Sequence, residues 1–323
     1  MINHRMTPMT ESGLLSAITV IMALIAVYLP VLGMAAALLW PLPVVVLVVR
    51  HGLRWGVMAA VVSAVIMAIL IEPTLAARML IAFAPVGLML GFGYRRGWSA
   101  VRVFAAVLGT SIAAKILALL LVLALTNINP LDLQVDMLKD SFSTSADIYR
   151  SMNVDEAQLA VMEQDFDKSM QLVSLLMPLV VIMMGFLDAF VNFVVANRVL
   201  RRLGHRVPEL VPFTEWRLPQ AVLYLFGFAL VGMYWGGSRE IPLLYQISFN
   251  ANMFAMFIGI VQGVSLLWYA ADRWHLGKAV RFCVLAFILL NGILAQIVAF
   301  TGLFDMLFDY RRRFGQDDKG GMK

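Results

Sequence analysis

Residues 103–126 read VFAAVLGTSIAAKILALLLVLALT, an apolar run interrupted by a single charge, Lys115, near its middle. A helix needs roughly 20 apolar residues to cross a hydrocarbon core about 30 Å thick, so this stretch has the length and character of a membrane span. The rest of the chain agrees. Of 323 residues, 61% are hydrophobic and 14% charged, where soluble domains average roughly 45–50% and about 25%. The mean hydropathy is +0.85. These values exclude a soluble globular domain, a disordered chain and a disulfide scaffold, and predict an all-α integral membrane protein.

Working outward from 103–126, nine segments approach spanning length: 12–32, 34–49, 55–71, 77–93, 103–126, 170–197, 218–236, 245–270 and 280–304. About eight or nine transmembrane helices are therefore expected. The weakest is 34–49, where Trp40-Pro41-Leu42-Pro43 predicts a break, because proline lacks the N–H that continues a helix. The first segment follows a short polar leader and exceeds a signal-peptide core, so it reads as a retained helix.

Basic residues near span ends set orientation. Even-numbered connections hold thirteen Lys and Arg, including Arg95, Arg96, Arg201 and Arg202; odd-numbered ones hold five, Arg78, Lys139, Arg150, Lys168 and Arg239. The N-terminus and even connections are thus expected in the cytoplasm. Nine crossings would place Arg311, Arg312 and Arg313 outside, against that bias, unless the count is off by one or Asp305, Asp309, Asp317 and Asp318 partner them. The net charge of +5 follows from these topology signals, and no nucleic-acid partner is expected.

The long connection 127–169 carries nine acids against three bases and should lie outside. Asn153 followed by Glu156 resembles a capping pair, and Leu159, Met162, Phe166, Met170 and Val173 carry an apolar stripe into the sixth span. It is either a solvated linker or a cap over the mouth of a cavity. Residues 131–142 would lie on the bilayer surface or on that mouth.

Ionisable groups at membrane depth mark a pathway or a structural pair. Lys115 lies in the fifth span and Asp188 in the sixth, with Asn192 a turn further on the same face. The two charges differ in expected depth by roughly 5 Å. They read as a structural ion pair, as a site for a charged substrate or coupling ion, or as a pair split by a snorkelling lysine. Trp40, at the broken second span, joins Lys115, Asp188 and Asn192 as a candidate binding residue, since interrupted helices often line transport sites. Asn250, Asn252, Gln262, Asn291 and Gln296 are expected to join the last spans by hydrogen bonds. Cys283 stands alone, and no metal-ligand spacing, phosphate loop or nucleophile motif appears, so neither a cofactor nor enzymatic activity is expected. An intramembrane enzyme would have to work with Asp188, Glu72 or a lysine alone.

Several short motifs together resemble one family. Thr10-Glu11-Ser12-Gly13-Leu14, Pro41-Leu42-Pro43-Val44, Val49-Arg50-His51-Gly52, Trp55-Gly56, Ala84-Pro85-Val86-Gly87-Leu88 with Gly91, and Gly302-Leu303-Phe304-Asp305 to Asp309-Tyr310-Arg311 are similar to the YybS-like bacterial membrane proteins. That resemblance implies a multi-pass protein of the bacterial cytoplasmic (inner) membrane. More distantly, residues 12–202 resemble the S components of energy-coupling-factor (ECF) vitamin transporters, which implies a six-helix bundle over 1–202; the two- to three-span segment expected over 203–323 is a departure from that pattern. The resemblance also implies a pocket near the outer face, covered by the 127–169 connection. In those proteins an Ala-x-x-x-Ala pattern docks on a coupling subunit; the nearest matches here are Ser12-x-x-x-Ser16, Gly13-x-x-x-Ala17 and Thr19-x-x-x-Ala23.

The expected function is therefore binding or transport of a small, vitamin-like metabolite within the lipid bilayer, with any ATP-driven step supplied by a separate coupling subunit and ATPase. The alternative is a membrane scaffold or envelope-assembly factor that binds protein partners. Orientation is open to a direct test. In a background lacking Cys283, an impermeant thiol reagent applied to intact cells should label a cysteine placed at Ser145 and spare one at Leu210; the reverse order would invert the topology.

Overall fold

Proline and glycine decide where the helices begin and turn. The computed structural model describes residues 7–152 and 154–312, and the chain divides into two compact units, one up to Leu210 and one from Val211. The first unit contains α1 (Pro8–Tyr28), α2 (Pro30–Leu39), α3 (Leu42–His51), α4 (Leu53–Leu70), α5 (Pro73–Arg95), α6 (Ala100–Thr126), α7 (Pro130–Ser151) and α8 (Glu156–Arg202). Pro8, Pro30, Pro73 and Pro130 each open a helix, where the missing N–H is not needed and the fixed φ is already helical. Gly52, at φ +100°, is the whole turn between α3 and α4, a backbone conformation that side chains rarely adopt.

Val31–His51 is long and apolar enough for one span, but it is broken at Trp40-Pro41 into α2 and α3, as the prolines predict. It also begins three residues earlier than expected. α5 packs closely on α3 because Gly87 and Gly91, one turn apart, present no side chain: a Cβ on Gly87 would stand 2.7 Å from the Pro41 carbonyl oxygen. Close backbone approach of this kind supplies much of the packing between helices in lipid. Around that seam Val45, Val86, Leu90, Val103, Phe193 and Leu200 form a buried core shared by α3, α5, α6 and α8.

The acidic connection is largely helical. Asn129 caps α7 by accepting from the Leu131 N–H, and Asp155 caps α8 through the Ala157 N–H. The capping role expected of Asn153 falls outside the described residues. α7 and the first turns of α8 form a hairpin in which the rings of Phe142 and Phe166 stack at 3.9 Å and Arg150 reaches Glu163 at 2.7 Å. α8 then continues without a break through the sixth span, 47 residues in all.

The second unit contains a short 3-10 turn (Phe213–Glu215), α9 (Ala221–Ser238), α10 (Pro242–Arg273), α11 (Lys278–Leu290) and α12 (Gly292–Phe308). Here one expectation needs correction. Segment 280–304 is not a single straight span: the chain bends by 107° between α11 and α12. The Asn291 side chain accepts from the Ile293 and Leu294 N–H groups at 3.1 Å each and so starts a new helix. At 13 residues, α11 is about 20 Å long and too short to cross. Among the described residues eight helices can span by length and composition, nine if this bent pair counts as one.

α12 lies on α10, with Gly302 directly against Gly259 and Gly263. Gln262 Nε2 donates to Asp305 at 2.6 Å while its oxygen accepts from the Leu218 N–H at 3.1 Å. The buried Arg311 donates to the Thr214 carbonyl at 2.7 Å and to Ser265 Oγ at 3.0 Å, and Arg217 pairs with Asp309 at 2.9 Å. Gln262 therefore joins helices as expected, whereas Asn291 breaks one and Gln296 is exposed. These bonds put Arg311 and Arg312 at the same end of the unit as Arg217, which nine straight crossings do not allow, and Asp305 partners Arg311 at 3.8 Å, as one of the two expected alternatives has it. Arg313, Asp317 and Asp318 lie outside the described residues. In a background lacking Cys283, cysteines placed at Glu215 and Arg312 should be labelled from the same side of the membrane. Opposite sidedness would require a straight final span.

Candidate functional site

In the first unit, Lys115 and Asp188 meet. Measured from Ala100 on α6 and from Arg202 on α8, the two residues lie within about 1.5 Å of the same depth, and the Lys115 Nζ to Asp188 Oδ2 distance is 2.6 Å. The carboxylate is only 1% exposed, and each of its oxygens is occupied. Oδ2 also accepts from Ser111 Oγ at 2.9 Å, one turn before Lys115 on α6, and Oδ1 accepts from Asn192 Nδ2 at 2.8 Å. A buried carboxylate is tolerated when it is paired and its remaining lone pairs are filled in this way.

The same network explains how the broken second span survives. The last carbonyls of a helix have no partner within it, and Asn192 Nδ2 donates to the Leu38 carbonyl, at the end of α2, at 2.8 Å. Trp40, the next residue but one, is fully buried, with its ring 6.4 Å from that of Phe83. Lys115 in turn donates to the Ala82 carbonyl at 2.9 Å, and its Nζ stands 4.2 Å from the Phe83 ring centroid. Pro85 cannot donate to Ile81 four residues back, so the lysine meets α5 where its ladder is already interrupted.

Lys115 is also the floor of a cavity of about 790 Å³. α1, α2, α5, α6 and α8 form its walls, and α7 covers it with Pro130, Leu131, Gln134 and Leu138. Ala82, Phe83, Leu119, Val122, Met177 and Met184 belong to the apolar wall, and Arg78 stands a turn from Ala82 on α5. Arg78 and Gln134 are not among the residues expected at the site from the sequence. Arg78 stands at the edge of the expected 77–93 span and reads there as an orientation charge, whereas α5 begins at Pro73 and carries it more than a turn into the helix. Gln134 lies on the apolar face of α7, and the spacing of Leu131 and Leu138 was the signal that could have found it.

Two further placements concern α1. Ser12 and Ser16 point inward: Ser16 Oγ donates to the Ala59 carbonyl at 3.4 Å, and Ser63 Oγ donates back to the Ser16 carbonyl at 3.2 Å. Thr19 and Ala23 are buried as well. α4 therefore occupies that face, and among the small-residue pairs only Gly13 and Ala17 remain exposed. Glu11, also buried, holds Arg50 and His51 at the end of α3, with Oε2 2.7 Å from His51 Nε2. That arrangement gives a physical reason for Glu11 and the Arg50-His51 pair to occur together.

A family described as "Predicted membrane protein (DUF2232)" matches residues 17–306. The chain belongs to this family. It is also 25% identical over 307 residues to the "Uncharacterized protein YybS" of Bacillus subtilis (strain 168), covering 94% of this chain and 97% of that protein. No solved structure matches. Several residues of the YybS-like motifs carry contacts in this chain: Glu11 with Arg50 and His51, Gly87 and Gly91 at the seam of α3 and α5, and Asp305 with Gln262.

The Asp188 network makes a specific energetic prediction. Lys115→Met leaves a buried carboxylate without its counter-charge and should cost about 3–5 kcal/mol. Adding Asp188→Asn should recover most of this loss, because an amide oxygen still accepts from Ser111 or Asn192. Adding Asp188→Leu should recover less, since both donors lose their acceptor. Unfolding midpoints of the three purified variants in detergent provide the check.

Proposed function

We propose that the protein is a membrane-embedded binding or transport protein for a small metabolite, held in the cavity of the first unit. The observation that carries this reading is the covered cavity itself: about 790 Å³ with a charged floor at Lys115, within the roughly 300–1,000 Å³ typical of small-molecule sites. A purely structural ion pair needs no adjoining void, and Lys115 keeps one face toward it.

The distribution of arginines supports a cytoplasmic N-terminus with α7 on the outer side, so that a metabolite would enter beneath α7 from outside the cell. This is the arrangement that the resemblance to S components implies. Energy for release would come from a separate coupling subunit and ATPase, for which the exposed Gly13 and Ala17 offer a face of α1 open to close helix approach. Neither a catalytic role nor a cofactor enters this proposal.

Native mass spectrometry of the protein purified in mild detergent provides the test. One small molecule per chain is expected, and it should be lost from the folded Lys115→Met/Asp188→Asn variant. An empty wild-type cavity accompanied by a copurifying protein partner would overturn the reading in favour of a scaffold.

A further inference from the structure

We infer that the cavity is built for an amphipathic anion, a molecule with one negatively charged head and an apolar body, and that Arg78 is the residue that selects the charge. The inference rests on the cavity reading above and adds the class of ligand. Of the twenty residues that line the cavity, seventeen are apolar, Gln134 is an amide, Arg78 and Lys115 are cationic, and none is acidic.

The two cations are not equivalent. Lys115 is already neutralised by Asp188, which lies behind it and is closed off from the cavity. Among the described residues Arg78 makes no ion pair or hydrogen bond, and it stands at the mouth, one turn of α5 above the carbonyl that Lys115 holds. Glu72, at the start of α5, lines a neighbouring pocket with Arg78 but not the cavity itself; it makes no ion pair with Arg78, and its carboxylate accepts from the Thr74 hydroxyl. The unmatched charge of the lining is therefore positive and belongs to Arg78. A guanidinium binds carboxylate or phosphate oxygens in a planar fork, while the apolar wall below excludes a second charged group. A cationic ligand would be repelled, and a neutral one would gain nothing from Arg78.

The acidic cover does not contradict this. Leu131, Gln134 and Leu138 share one face of α7, and at 100° per residue Asp132, Asp136 and Asp140 lie on the opposite one. All three aspartates are exposed. None of them lines the cavity, and exposed charges are screened by salt.

A matched set of fluorescent probes tests the inference: 11-(dansylamino)undecanoic acid, its methyl ester, and the analogue with an amine in place of the carboxylate. With protein in phosphatidylcholine nanodiscs freed of any resident molecule, the acid should bind about 10- to 100-fold more tightly than the other two. Arg78→Gln should remove that preference without weakening the ester, and Arg78→Lys should retain part of it. Arg78 is exposed and unpaired, so the variants should unfold at the wild-type temperature. Phosphatidylglycerol in the nanodisc competing with the acid would identify a lipid head as the natural anion. Competition by octanoate alone would identify a free carboxylate, and either result supports the class. Equal binding of acid and ester, an unchanged preference in Arg78→Gln, failure of both competitors, or no binding of any probe would overturn the inference. Whether the cavity holds a metabolite at all is decided separately by the native mass of the wild-type protein.

Discussion

A carboxylate inside a bilayer must be neutralised and have its lone pairs filled, and the first unit is arranged around meeting that demand at Asp188. Lys115 and Ser111 come from α6, Asn192 from the next turn of α8, and through Lys115 and Asn192 the network reaches α5 and the end of α2. Four helices are thereby held in one register by groups that would each be costly to leave unpaired. The break at Trp40-Pro41 exists in lipid because Asn192 supplies the donor that the helix ladder cannot. The void above Lys115 follows from the same geometry: α5, α6 and α8 are pinned at the depth of the pair, while α7 is tied to them only through its own face and its hairpin with α8.

The second unit solves its own version of this problem near one end. Asp305 accepts from Gln262 and from the Tyr310 N–H, and Arg311 lies within 3.8 Å of it while donating to Ser265 and Thr214. Charge and backbone are satisfied together, which lets α12 end in a tight left-handed residue, Asp309, at φ 45°. This is why arginines that look misplaced by simple counting are consistent with the observed bend.

The helical architecture and the depth of the Lys115 and Asp188 pair were legible in the sequence because hydropathy and residue spacing act directly on both. The rest depends on which way a face turns. Small residues occur on both sides of α1, and spacing cannot tell that Ser12 and Ser16 are buried while Gly13 and Ala17 are exposed. Averaged hydropathy over 278–308 is high on both sides of Asn291, so the bend hides behind composition; its local signal is a capping residue followed by Gly292. Arg78 misled for a related reason, since an arginine near a span end has the same appearance whether it faces lipid headgroups or the mouth of a cavity. The hydrogen bond that Asn192 donates to the Leu38 carbonyl joins residues 154 positions apart and leaves no local trace.

α8 has a mechanical consequence. Its 47 residues make a rod of about 70 Å, more than twice the thickness of the hydrocarbon core, or about 30 Å. Pro178 interrupts its hydrogen-bond ladder, beside Met177 at the cavity wall. Below that point the rod is anchored through Asp188; above it, about 33 Å of helix extend to Glu156 and carry the hairpin with α7. The hairpin is thus a long lever on a short fulcrum. A pivot of 10° at Pro178 would carry the tip through about 6 Å while leaving the ion pair where it is.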